Sequence, residues 1–68
     1  MKISYSDKGD LLYIRLDDRP QSVANRRVSE DVVLDLGEDD RIVGIEIMNA
    51  SHNVRLEGLL PVRTEGVA

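Results

Sequence analysis

The run Val32-Val33-Leu34-Asp35-Leu36, followed after a polar link by Ile42-Val43-Gly44-Ile45-Glu46-Ile47-Met48, constrains the fold more than any other part of this sequence. Both runs are rich in β-branched residues, which fit a pleated, half-buried surface. The link Gly37-Glu38-Asp39-Asp40-Arg41 has turn chemistry, so the two runs read as an antiparallel hairpin. Pleat alternation puts Val43, Ile45 and Ile47 on one face, with Ile42, Gly44, Glu46 and Met48 opposite. A glycine in mid-strand marks a bulge or a close approach by a side chain or backbone.

The remaining segments extend this pattern. Lys2-Ile3-Ser4-Tyr5 alternates polar and apolar residues, as a strand buried on one face does. Asp7-Lys8-Gly9-Asp10 is a turn in which Gly9 is available for positive φ. Leu11 to Leu16 resumes as a strand, with Leu12, Ile14 and Leu16 on one face and Leu11, Tyr13 and Arg15 on the other. Pro20 breaks the pattern, because it cannot continue a ladder inside a sheet. Val23 to Ser29 reads as an irregular edge strand whose charges discourage pairing with other molecules. Beyond Asn49-Ala50-Ser51-His52-Asn53, Leu56, Leu59 and Leu60 recur at helical spacing, and Pro61 ends the stripe. This predicts a short C-terminal helix capped by Ser51 or Asn53, with a short strand over residues 54–60 as the alternative. The expected fold class is α+β and strand-dominated: a small antiparallel sheet built from hairpins with a short C-terminal helix. Residues 1–61 form a single domain, and residues 62–68 a flexible tail.

Composition says how such a sheet must be held together. The 68 residues include no Cys, Phe or Trp, so the core is aliphatic, without disulfides or thiolate metal sites. Chains of this size commonly add staples or oligomerise. Leu12, Ile14, Leu16, Val32, Leu34, Leu36, Val43, Ile45 and Ile47 make one apolar face for a core. The opposite face still offers Leu11, Tyr13, Val33, Ile42 and Met48, and exposed apolar patches often mark interaction surfaces. A homo-oligomer follows, most simply a two-fold dimer. No uncharged stretch approaches the ~20 residues that span a bilayer, which points to a cytoplasmic protein with no membrane partner.

Charge is polarised along the chain. Residues 1–29 carry six bases and four acids, +2, whereas residues 30–46 carry seven acids against Arg41, −6. Residues 47–68 balance, giving the overall −4. An acidic domain repels phosphate backbones, so nucleic acid is not an expected partner, whereas a basic protein is. The partner-binding candidates are Glu38, Asp39, Asp40 and Glu46. Those acids do not match a calcium loop, and neither a metal nor a cofactor is expected. His52 is the only histidine and reads as a solvent-exposed loop residue. Glu46 reads first as an ion-pair partner of Arg15 or another arginine across strands, and second as a buried functional carboxylate. No catalytic grouping stands out.

Two blocks carry a resemblance. Tyr5 to Leu16, Y-S-D-K-G-D-L-L-Y-I-R-L, and Val33 to Ser51, V-L-D-L-G-E-D-D-R-I-V-G-I-E-I-M-N-A-S, resemble a small prokaryotic family known as domain of unknown function 2283. That family opens with a tyrosine, an acidic turn and a strand ending L-Y-I-R-L, and it ends on a G-I-E-I-L-x-A-S signature. Ser6 departs from its usual Asp. Gly37 comes early, and Asp40 stands where the family's second turn usually has Gly. The resemblance implies a sheet-dominated fold and supplies no activity and no catalytic residues to transfer. It also implies an association with small toxin-like proteins. The function expected is a non-enzymatic protein-interaction module, an antitoxin-like or regulatory partner of a small basic protein. The alternative is a small-molecule-binding protein or enzyme with a composite site at an oligomer interface, where Tyr13, Glu46 and His52 from different subunits converge.

Overall fold

A computed structural model of the chain describes residues 1–59. Five strands form one antiparallel sheet: β1 (Lys2–Ser6), β2 (Leu11–Arg15), β3 (Ala24–Arg27), β4 (Val32–Leu36) and β5 (Ile42–Met48). Their order is β1-β2-β5-β4-β3, so the signature strand β5 is central and the polar strand β3 is an edge. All four residues of β3 are exposed, as its charged sequence requires. A single helical turn, α1 (Ala50–Asn53), follows β5, and a 3₁₀ turn covers Leu56–Leu59. The fold is therefore the strand-dominated α+β architecture expected from the hairpin pattern. The leucine-spaced helix is not continuous, because Val54 is extended between the two turns. Leu60, Pro61 and the expected tail at 62–68 lie outside the described residues.

Register decides which residues share a face. Tyr13 pairs with Glu46 and Arg15 with Gly44 across β2 and β5. Val33 pairs with the same Glu46, and Asp35 with the same Gly44, across β4 and β5. One face thus carries Tyr13, Arg15, Asp35, Gly44 and Glu46, and we call it the polar face. The other carries Ile3, Leu12, Ile14, Leu34, Ile45 and Ile47, the aliphatic face. A register shift at Asp35/Leu36 pairs Leu36 with Ile42 and skips Val43. The Val43 carbonyl then accepts from both Leu16 (2.8 Å) and Asp17 (3.2 Å), which explains why β2 stops at Arg15.

Of the nine expected core residues, Leu12, Leu36 and Val43 are buried, and Leu16 is exposed. Ile14, Val32, Leu34, Ile45 and Ile47 are half-buried. The cause is architectural: among the described elements, the extensive packing is between neighbouring strands of one sheet.

The strand ends gather at two poles. At one, the loop from β2 to β3 meets the β4–β5 turn, where Gln21 Oε1 accepts from the Glu38 amide at 3.0 Å. In that turn Asp39 and Asp40 have φ of 60° and 57°, so Asp40 is left-handed at the position the related turns fill with glycine. At the other pole the β1–β2 turn meets α1. The left-handed residue there is Asp10 (φ 51°) rather than Gly9. Asp10 is fixed by its partners: its carbonyl accepts from Ala50 (2.9 Å), and its carboxylate from the Ser51 amide (3.0 Å) and hydroxyl (2.7 Å). Neither Ser51 nor Asn53 is the helix N-cap. Asn49 takes that position without a side-chain cap, and the distant Asp10 supplies the acceptor.

Candidate functional site

The polar face is built around Asp35, which sits mid-strand in β4 and is only 7% exposed. A buried carboxylate needs compensating donors. Tyr13 supplies one, its hydroxyl donating to Asp35 Oδ2 at 2.8 Å, and Asn25 of β3 supplies another to Oδ1 at 2.6 Å. Gly44 makes the first of these possible. Tyr13 leans across it toward Asp35, and a Cβ at Gly44 would lie 2.5 Å from that hydroxyl. The mid-strand glycine therefore marks a close approach by a side chain.

Glu46 completes the group. It lies on the same face, paired with Tyr13 and Val33 across the strands, and the neighbouring Asp35 carboxyl, followed by desolvation, raises its pKa above the usual carboxylate range. The expected ion pair between Glu46 and an arginine does not form. Arg15 instead lies over the Tyr13 ring, 5.6 Å from its centroid, and Arg27 donates to the Glu30 carbonyl. Arg19 with Asp17 is the only ion pair among the described residues. Burial and the Asp35 hydrogen bond also raise the Tyr13 pKa. Along the β1 side, Lys2, Ser4, Tyr13, Arg15 and Asp18 line an open cleft of about 430 Å³.

The other sequence candidates lie elsewhere. Glu38, Asp39 and Asp40 are exposed in the β4–β5 turn, at one pole. Leu11, Val33 and Met48 flank the polar network on its own face, with Val33 8% exposed, while Ile42 is 45% exposed beside the bulge. Tyr13 and Glu46 are direct cross-strand partners, but His52 stands at the opposite pole. There Asp31 accepts from Asn49 (3.0 Å) and Asn53 (2.9 Å), and these bonds lower its pKa. The Asp10 pKa is likewise lowered, chiefly by the Ser51 and Tyr5 hydroxyls and slightly by His52. The residues that sequence reasoning passed over are Asn25 and the central role of Asp35. A lone Asp inside V-V-L-D-L, on the same face as Gly44 and Glu46, was the available signal.

Among the described residues no cluster of three His, Cys, Asp or Glu side chains is arranged to hold a metal ion, and no helix is long and apolar enough to cross a membrane. Fold and network together define a small single-sheet antiparallel protein with a buried Asp35 on β4 and a half-buried Glu46 on the central strand β5. The family described as "Protein of unknown function (DUF2283)" matches residues 2–51, and the chain belongs to it. No curated protein and no solved structure is significantly similar to the chain.

Proposed function

We propose that this protein is a non-enzymatic interaction module that self-associates through its aliphatic face and docks a small basic protein as a regulatory, antitoxin-like partner. The observation that carries this reading is a half-buried aliphatic face. Ile3, Ile14, Leu34, Ile45 and Ile47 line it around the buried Leu12, and each of the five stands only half-buried. The molecule's two longer extents are 33 and 26 Å. A face of those dimensions matches the ~800 Å² per partner of a standard interface. A second copy fits best, because a two-fold axis sets aliphatic side chains against their own kind. We place self-association here rather than on the Leu11, Tyr13, Val33, Ile42 and Met48 side, whose centre is taken up by the polar network.

Basic-partner docking is supported by the exposed Glu38, Asp39 and Asp40, none of which is in an ion pair among the described residues. Sedimentation equilibrium tests the first part. The wild type should be dimeric, and Ile45→Lys should be a monomer with an unchanged far-UV spectrum. A wild type that stays monomeric at every concentration refutes it. For the second part, co-purification from the native cell at low salt should yield a basic protein that is lost at high salt. The triple variant Glu38→Gln/Asp39→Asn/Asp40→Asn should fail to retain it, and equal retention by that variant would overturn the docking site.

The small-molecule alternative keeps one supporting observation, the adjacency of Tyr13 and Glu46 beside the cleft lined by Lys2 and Arg15. Within one chain His52 stands apart from that cleft, so on this reading it comes from another subunit.

A further inference from the structure

The register of β1 on β2 sets two residue pairs on the polar face: Lys2 opposite Arg15, and Ser4 opposite Tyr13. These four side chains, with Asp18 from the segment after β2, line the open cleft of about 430 Å³. That volume lies within the ~300–1,000 Å³ of small-molecule sites. Asp35 and Glu46 belong to β4 and β5, farther across the sheet, and do not line the cleft.

The charges in the first pair call for a partner. Like charges directly opposite each other on a sheet face destabilise it. Neither Lys2 nor Arg15 is in an ion pair among the described residues. Arg15 is half-buried and lies over the Tyr13 ring, 5.6 Å from its centroid, while the Tyr13 hydroxyl is committed to Asp35 at 2.8 Å. A guanidinium held on a ring keeps its planar fork of N–H donors oriented for an oxyanion. Lys2 adds a point charge on a flexible stem, and Ser4 adds a hydroxyl donor. An anion seated between the two cations offsets their repulsion.

We propose that this cleft binds a small hydroxylated phosphate monoester, its phosphoryl group between Arg15 and Lys2 and a hydroxyl of its organic part on Asp18. Charge selects the group. A carboxylate brings one negative charge and two acceptor oxygens. A phosphate monoester brings nearly two charges and three acceptor oxygens, enough for the Arg15 fork, the Lys2 ammonium and the Ser4 hydroxyl together. Asp18 selects the rest, because an exposed carboxylate repels a second anionic group and accepts from a hydroxyl. The site goes beyond the interaction module: it lies on the face opposite the aliphatic one and needs neither self-association nor a basic partner.

Nitrogen-15 NMR titration of the full chain tests it at constant ionic strength, above about pH 7, where the phosphoryl group is doubly charged. Inorganic phosphate, glycerol phosphate and acetate are the probes. Both phosphates should shift the Lys2, Ser4, Tyr13 and Arg15 amides saturably, glycerol phosphate more tightly than phosphate, and acetate more weakly than either. Arg15→Gln and Lys2→Gln should each weaken phosphate binding about tenfold or more. Lys2 is exposed, so Lys2→Gln decides alone if Arg15→Gln does not fold. Asp18→Ala should bind inorganic phosphate at least as well as the wild type and lose the advantage of glycerol phosphate. A wild type with no saturable shift, acetate bound as tightly as phosphate, or a Lys2→Gln protein with wild-type affinity overturns the site. An Asp18→Ala protein that still prefers glycerol phosphate overturns the role of Asp18.

Discussion

Replacing Gly44 by alanine tests the construction of the polar face with one methyl group. That methyl would stand 2.5 Å from the Tyr13 hydroxyl, 3.1 Å from Asp35 Oδ2 and 3.1 Å from Tyr13 Cζ. The shortest of these is below any tolerated carbon–oxygen contact, so Tyr13 must give up its 2.8 Å bond to Asp35. A hydrogen bond to a carboxylate contributes about 1.5–3 kcal/mol. Alanine returns about 0.5–1 kcal/mol relative to glycine inside a strand. The net loss is about 1–2 kcal/mol, which in a domain this small lowers the melting temperature by roughly 4–15 °C. A double-mutant cycle with Tyr13→Phe isolates the cause, read by urea and thermal unfolding. Alone, Tyr13→Phe should cost somewhat more than Gly44→Ala, about 1.5–3 kcal/mol, since it strips Asp35 of the same donor without the alanine gain. Together they should cost no more than one of them, a coupling of about 1.5–3 kcal/mol. Additive losses would show that the hydroxyl is not what the methyl displaces, and the account of Gly44 would fall.

Other substitutions probe the remaining parts of the fold. Leu12, 1% exposed, is the largest fully buried side chain among the described residues, and Leu12→Ala should cost about 2–5 kcal/mol in urea unfolding. A loss below about 1 kcal/mol would mean that the packing around it collapses to fill the space. Asp40→Gly should raise the melting temperature by relieving about 1 kcal/mol of left-handed strain at φ 57°, and an unchanged value would count against that strain. At the acid end, Asp10 and Asp31 have lowered pKa values, so their contribution is present above the unfolded carboxylate range and is lost as pH falls through their folded values. The Asp10→Ala/Asp31→Ala protein should therefore show a shallower loss of melting temperature than the wild type on acidification below about pH 4. Matching slopes would refute these two bonds as the source.

The sheet was legible because its signals are local. Val32–Leu36 and Ile42–Met48 are bounded as their β-branched runs suggest, since period-two alternation and turn residues act within a few positions of each other. The glycine at 44 was equally readable as a close approach, although not which side chain approaches. The polar network was not readable, because Tyr13 and Asp35 lie 22 residues apart and meet only through the registers of β2 and β4 on β5. Local pairing preference pointed Glu46 at an arginine, whereas the register sets it between Tyr13 and Val33. The same reason explains α1. The leucine spacing after Ser51 suggested one helix, but the turn is anchored by Asp10, 41 residues away from the amide that it caps.

The signature G-I-E-I-M-N-A-S divides into residues spent inside the fold and residues left over. Gly44 clears a path for Tyr13, Glu46 pairs with Tyr13 across β2 and β5, and Ser51 binds Asp10. Ala50 is fully buried, and Asn49 takes the left-handed conformation that turns the chain into α1. These roles stabilise a scaffold and need no substrate to explain them. With Gly44, Asn49, Ala50 and Ser51 of the signature occupied inside the fold, the proposed protein interactions rest on other surfaces. These are the aliphatic face of β1, β2, β4 and β5, and the exposed acids of the β4–β5 turn. The signature then identifies a sheet, and the proposed binding is assigned to the surfaces around it. On this argument, exchanging residues 38–40 for a neutral turn should leave the fold intact while abolishing basic-partner binding. Exchanging Gly44 or Ser51 should impair both together, because those residues act on the partner only through the scaffold.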